Sequence, residues 1–166
     1  MNLYLMQHGA CYSEQIDPER ALSPVGQDQV KASALAMKAM GLTFDLMLCG
    51  AKKRAVQTAG IVARALGFPE QALLPSPALR PTATALEMIA LLEEHKDRES
   101  VFIAGHLPGL AVLASALISS AKVGLHFENA GLTRLDVAHL APHGATLIFH
   151  LLPAQLHLMA PGKKRV

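Results

Sequence analysis

Three short apolar runs each stop at a polar, glycine-bearing segment and then give way to a helical pattern. Leu3 to Met6 is followed by Gln7-His8-Gly9, Phe44 to Cys49 by Gly50 and then Lys52-Lys53-Arg54, and Ser100 to Ala104 by Gly105-His106. Apolar runs of this length, bounded by turn residues, are strand-sized, and Ser100 to Ala104 is the clearest buried strand. Ser23-Pro24 supplies an N-cap and an N1 proline for a helix to about Met40, stopped by Gly41. Further helices are expected from about Lys52 to Leu66, over about Ala83 to His95, and from after Pro108 to about Ser119. Residues 68 to 82 carry Pro69, Pro75, Pro77 and Pro81 and read as a loop, with room for a short strand at Ala72 to Leu74. Leu132 to Leu140 and Ala145 to Leu152 read as strands joined by a hairpin at Pro142-His143-Gly144. Strands alternating with helices predict an α/β fold: a three-layer α/β/α sandwich with a mostly parallel central sheet.

Such sheets bind ligands beyond the carboxyl ends of their strands. The three runs end there, so His8, Arg54 and His106 are expected near one crevice although they lie far apart in the chain.

The rest of the composition narrows the function classes. The 166 residues suit a single domain over 1–166. Hydrophobic residues at 51% and charged residues at 17% exclude a disordered chain. A net charge of +2 does not point to nucleic acid, and Lys163-Lys164-Arg165 reads as a solvated tail. The most apolar stretch, Leu110 to Ile118, is about half of a membrane span and reads as a buried helix. The N-terminal residues lack a basic n-region and a cleavage site, so no signal peptide is expected. Two cysteines, Cys11 and Cys49, are too few for a disulfide scaffold or a four-cysteine zinc site. A soluble, cytoplasmic protein without metal is the expectation. His95, His126, His139, His143, His150 and His157 match no metal-ligand spacing.

Two imidazoles and a guanidinium at strand ends suit phosphoryl transfer. A neutral imidazole can attack phosphorus and hold the group covalently. Arg54 can grip phosphate oxygens as a bidentate fork, and a protonated His106 can stabilise a third oxygen. Gly9, Gly50 and Gly105 flank the proposed site and would let backbone N–H groups approach an anion. Each residue also has an ordinary reading: a strand-end histidine that only packs, an arginine that is only a surface charge. A cation in the first turn of a helix opposes the helix dipole, so Arg54 there suggests an anionic partner. Lys52 and Lys53 read as solvated. Cys49 and Arg54 form Cys-x4-Arg, one residue short of the Cys-x5-Arg of cysteine phosphatases, and Cys49 reads as a packed strand end.

On these motifs the sequence resembles the histidine phosphatase superfamily and, within it, the SixA-type phosphohistidine phosphatases. The superfamily's Arg-His-Gly opening stands here as Gln7-His8-Gly9. Its arginine motif stands as Arg54-Ala55-Val56-Gln57-Thr58 after Cys49-Gly50-Ala51, and its second histidine lies in Gly105-His106-Leu107-Pro108. Arg20-Ala21-Leu22-Ser23-Pro24-Val25-Gly26 is similar to the branch's Arg-Pro-Leu-Thr/Ser-x-x-Gly segment, and Leu152-Pro153 with Leu156 is similar to its C-terminus. The resemblance implies a phosphoglycerate mutase-like fold and a phosphatase acting on phosphohistidine through phosphorylated His8. It implies that Arg54 and His106 bind the phosphoryl group, with Gln7, Gly9 and Arg20 as further phosphate contacts. It also implies no metal or organic cofactor, and as partner a phosphorylated protein or a small phosphorylated substrate.

Two departures qualify those expectations. Gln7 replaces a phosphate-clamping arginine with a side chain that has two donors and no charge, which weakens phosphate binding. The chain then reads either as a slowed enzyme or as a phosphate-binding module without turnover. Second, many phosphomonoesterases of the superfamily place a general acid after the third strand. The matching segment, Arg80-Pro81-Thr82-Ala83-Thr84-Ala85, holds no carboxylate, and Glu87 falls within the next helix. An alkoxide leaving group needs a proton donor, whereas a protonated imidazole leaves readily. The missing acid favours P–N substrates over a small-molecule phosphomonoesterase, unless Glu14 or Asp17 substitutes.

Overall fold

The computed structural model describes residues 1–161, so Lys163-Lys164-Arg165 lies outside the described residues. Along the chain run β1 (Asn2–Gln7), α1 (Pro24–Ala39), β2 (Leu46–Gly50), α2 (Lys53–Leu66), β3 (Leu74–Ser76), α3 (Ala85–Glu93), β4 (Ser100–Gly105), α4 (Gly109–Ile118), β5 (Leu132–Val137), β6 (Ala145–Leu151) and α5 (Pro153–Met159). The sheet order is β3-β2-β4-β1-β5-β6. Its first four strands are parallel, and β5 and β6 add an antiparallel edge beside β1.

Period-two alternation makes the three layers. Leu3, Leu5, Val101 and Ile103 point to one face and pack with Met88 and Leu92 of α3 and Leu110 and Leu113 of α4. Tyr4, Met6, Phe102 and Ala104 point to the other and pack with Val30 and Met37 of α1, Val62 of α2 and Leu156 of α5. Both faces of β1, β2 and β4 are therefore dry, which explains their unbroken apolar runs. Among the described residues, no helix is long and apolar enough to cross a membrane.

Local chemistry sets the element ends. Ser23 accepts the Gly26 N–H to cap α1, and Thr84 and Glu87 form a reciprocal capping box that starts α3 at Ala85. β3 lies two residues beyond the expected position and carries Pro75, which the ladder tolerates because β3 is an edge strand. β5 ends at Val137 rather than Leu140 because the Ala138 and His139 N–H groups both turn to the Gly144 carbonyl. The connection is therefore a longer closed loop instead of a tight hairpin. The register shift opposite Arg134 and Leu135 leaves Ile148 without a partner in β6. Inward packing switches there from Leu147 on one core to Phe149 on the other. The sequence pattern did not call for α5; Pro153 starts it, and the Gln155 side chain accepts the Leu152 N–H at 2.7 Å.

Candidate active site

β4 lies between β1 and β2, with Gln7 beside Gly105 and Cys49 beside Ala104. The three carboxyl ends are thus flush, and the residues that follow them meet. Gln7, His8, Arg20, Arg54 and His106 all line one cavity of about 510 Å³, and Lys52 joins them.

His8 is held at several points. Its N–H donates to the Gly105 carbonyl at 3.1 Å, and its carbonyl accepts from the Asn129 amide at 2.6 Å. Its Nδ1 lies 2.8 Å from the Gly9 carbonyl. A carbonyl only accepts, so Nδ1 carries the proton and Nε2 carries the lone pair. Arg54 Nε donates to that Nε2 at 3.1 Å. Burial lowers the His8 pKa to about 4, against the opposing pull of the Gly9 bond and with help from the Arg54 charge. At neutral pH the ring is uncharged, with the lone-pair nitrogen facing the guanidinium.

His106 sits with its ring centroid 5.1 Å from that of His8, edge to face. It is 2% exposed, and neither ring nitrogen has a hydrogen-bond partner among the described residues. Burial first, then the charges of its neighbours, lowers its pKa to about 3. A Cβ at position 50 would lie 2.7 Å from His106 Nε2, so Gly50 makes the room for this ring.

The motif around Arg54 braces the loop after β1. Thr58 Oγ1 donates to the Arg54 carbonyl at 2.8 Å and accepts the Gly9 N–H at 3.2 Å. Gln57 Oε1 accepts the Leu22 N–H at 2.7 Å. The Gly9 amide is thereby engaged by Thr58, so it is not open to an anion. What position 9 requires is close packing, because a Cβ there would lie 2.6 Å from the Gly26 carbonyl oxygen. Arg54 itself is 5% exposed, and burial lowers its pKa without discharging it.

Among the described residues no carboxylate lines the cavity. Asp17 accepts the Glu19 and Ala21 N–H groups, which hold its carboxyl below the usual range and order the loop that carries Arg20. Arg20 adopts a left-handed backbone (φ 52°), and its guanidinium reaches the Tyr12 carbonyl and Cys11 Sγ. Glu19 pairs with Lys53. Glu87 accepts the Thr84 N–H and pairs with Arg80 at 2.6 Å, which lowers its pKa to about 2. Glu14 borders a neighbouring pocket on the far side of Arg20 and Lys52. Burial raises the Cys49 thiol to about 11, and Cys49 packs in the α1–α2 core. It is a packing residue and not a thiolate nucleophile.

Sequence reading missed Asn129, whose partner is a backbone carbonyl 121 positions away, and the place of Lys52 on the cavity wall. The bracing role of Gln57 and Thr58 was signalled only by their place in the arginine motif.

The two depressed histidines have a measurable consequence. An unfolded histidine titrates near 6.5 and takes up a proton as pH falls, while the folded rings, at about 4 and 3, do not. The stability present above pH 6.5 is therefore lost as pH falls toward 4. The expected loss at pH 5 is about 2 kcal/mol per ring. Vanadate should flatten the decline by pairing a charged His106. Urea unfolding at pH 7 and pH 5, with and without vanadate, checks this; equal stability at both pH values would mean the rings titrate normally.

No protein-family model matches the chain. An uncharacterized protein of Picosynechococcus sp. is 30% identical over 162 residues, covering 91% of this chain and 95% of that protein. Among solved structures, the protein histidine phosphatase SixA complexed with tungstate superimposes with a TM-score of 0.82 at 21% identity, covering 94% of this chain and 99% of that one. The alpha-ribazole phosphatase of Shigella flexneri does so with a TM-score of 0.71 at 19% identity, covering 99% and 100%. A mycobacterial glucosyl-3-phosphoglycerate phosphatase gives 0.70 at 17% identity, covering 89% and 97%. At these identities the solved structures show the fold, which is that of the histidine phosphatases and phosphoglycerate mutase-like proteins.

Proposed function

For a chain that belongs to one family with the Picosynechococcus protein and is built on the histidine phosphatase fold, we propose a phosphatase that removes phosphate from phosphohistidine through a covalent intermediate on His8. The observation that carries this reading is the His8 ring: proton on Nδ1, lone pair on Nε2, Arg54 Nε at 3.1 Å from that lone pair.

In the first step, His8 Nε2 bonds to phosphorus as the P–N bond to the substrate imidazole breaks. The departing imidazole keeps the bond electrons and is already neutralised by a proton on its ring. In the second step, water attacks phospho-His8, the new P–N bond breaks, and inorganic phosphate leaves. The transition state spreads negative charge over three oxygens, and catalysis rests on positioning and electrostatics. Arg54 provides a fork for two of those oxygens. His106, buried without a partner, provides a donor for the third once the anion raises its pKa. Exposed Arg20 and, deeper at the end of β1, Gln7 are further contacts, while Gly9 acts through its carbonyl on His8 Nδ1.

The substrate preference rests on what surrounds the leaving group. Among the described residues no carboxylate lines the cavity, Glu87 is ionised and paired, and Asp17 is engaged by two backbone amides. Such a site does little for an alkoxide that needs a proton. A phosphohistidine protein should therefore be hydrolysed with a higher kcat/KM than p-nitrophenyl phosphate or an alkyl phosphate. The reverse order would point to a small-molecule phosphomonoesterase. Phosphate binding with no turnover of either would point to a recognition module slowed to nothing by Gln7.

A further inference from the structure

Gln7 stands at the end of β1 and brings no charge to the cavity, and Lys52 stands just past β2 on its other side. Because β1 and β2 flank β4, the two reach the cavity from opposite sides of His106, and both line it. Lys52 is the N-cap of α2, and its ammonium, which has donors only, cannot cap the helix's free N–H groups. Among the described residues it has no ion-pair partner, whereas its neighbour Lys53 is paired with Glu19. Among the described residues no acid lies on this cavity wall; Glu14 and Glu19 border the adjoining pocket that Lys52 also lines, and Glu19 is taken by Lys53. Its charge is felt at both imidazoles, where it opposes protonation.

We infer that Lys52 is a phosphoryl-binding residue, adding from the β2 side, beside Arg54 and Arg20, a positive charge that Gln7 does not supply from the β1 side. The inference rests on the phosphatase reading above and names a contact which that reading lacks. The chemistry is complementary. Arg54 is a planar fork on a buried stem and fixes orientation, while a lysine is a mobile point charge that needs no particular angle. Lys52 can therefore meet an equatorial oxygen on the face that Arg54 and His106 leave uncovered. Its exposure explains why it resembles an ordinary surface lysine in the sequence.

The test uses vanadate as the oxyanion, with affinity read by calorimetry and kcat/KM read on a phosphohistidine protein. Lys52→Met should weaken vanadate and lower kcat/KM about ten- to a hundredfold, the range of one charge-assisted contact. Lys52→Arg should keep most of both. Raised salt should narrow the gap between wild type and Lys52→Met, because the contact is electrostatic. Gln7→Arg should help the Lys52→Met protein by a larger factor than it helps wild type, since either cation can fill the same need. Folding is not at risk in Lys52→Met, because the side chain is exposed and caps nothing. Wild-type vanadate affinity in Lys52→Met, or an equal gain from Gln7→Arg in both backgrounds, overturns the role of Lys52. A wild-type protein that neither binds vanadate nor takes up phosphate on His8 removes the phosphatase reading itself, and Lys52 with it.

Discussion

Replacing His8 with alanine is expected to abolish both turnover and covalent labelling. The loss should be on the order of 10^4-fold or more in kcat, as when a covalent nucleophile is deleted from a preorganised site. The reasoning starts from the hydrogen bond between His8 Nδ1 and the Gly9 carbonyl. That bond fixes one tautomer, so Nε2 is unprotonated and able to attack. Burial and the Arg54 charge keep it so at neutral pH. Among the described residues no other imidazole in the cavity matches this combination. His106 has no hydrogen bond to select a tautomer; of the two cysteines, Cys11 lines the cavity with its Sγ facing Arg20, and Cys49 is a protonated thiol packed in the core outside it. Incubation with a 32P-labelled phosphohistidine protein, followed by acid-labile, base-stable capture of the label, should mark wild type and leave His8→Ala blank. Vanadate affinity should fall much less, because Arg54 and His106 remain. Label on His8→Ala would mean that another residue carries the phosphoryl group.

The fold and the core of this site are legible in the sequence for the same reason. Strands dry on both faces leave unbroken apolar runs, and function stands where those runs end. Leu3 to Met6 and Ser100 to Ala104 need no partner to be seen, and His8 and His106 follow them immediately. Arg54 is found the same way, at a first helical turn where a cation opposes the dipole. What the pattern misses is whatever depends on a distant backbone atom. Asn129 is an unremarkable loop residue until its amide is seen on the His8 carbonyl. The Gly9 amide looks free to meet an anion until Thr58 is found bonded to it. The α5 helix is only seven residues long and sits just past β6, so its one buried anchor, Leu156, sets up no period. Ile148 hides a bulge because a strand with one extra residue still reads as a strand. Lys52 shows the limit most clearly: its charge makes it look solvated, and only the adjacency of β2 and β4 brings it to the cavity of His8 and His106.

Arg54→Lys should cost roughly 10^2- to 10^3-fold in kcat/KM, although it keeps the charge. The structure explains why the conservative change is not conservative. The guanidinium is 5% exposed and reaches His8 through Nε, a donor set back from the tip of the side chain. A lysine has no donor at that position, and its single ammonium cannot hold two phosphate oxygens in one plane. The loss should divide between the two steps: weaker vanadate binding, and a slower approach to the phospho-His8 level in a rapid-quench experiment. Stability should change far less, because the bonds that brace the loop run through the Arg54 carbonyl, Gln57 and Thr58 and not through the guanidinium. Arg54→Ala removes charge and fork together and should lose more activity than Arg54→Lys. Thermal unfolding of both variants separates a damaged site from a damaged fold. An Arg54→Lys protein with wild-type kcat/KM would show that a single positive charge suffices there, and that the fork geometry plays no part in holding the phosphoryl group.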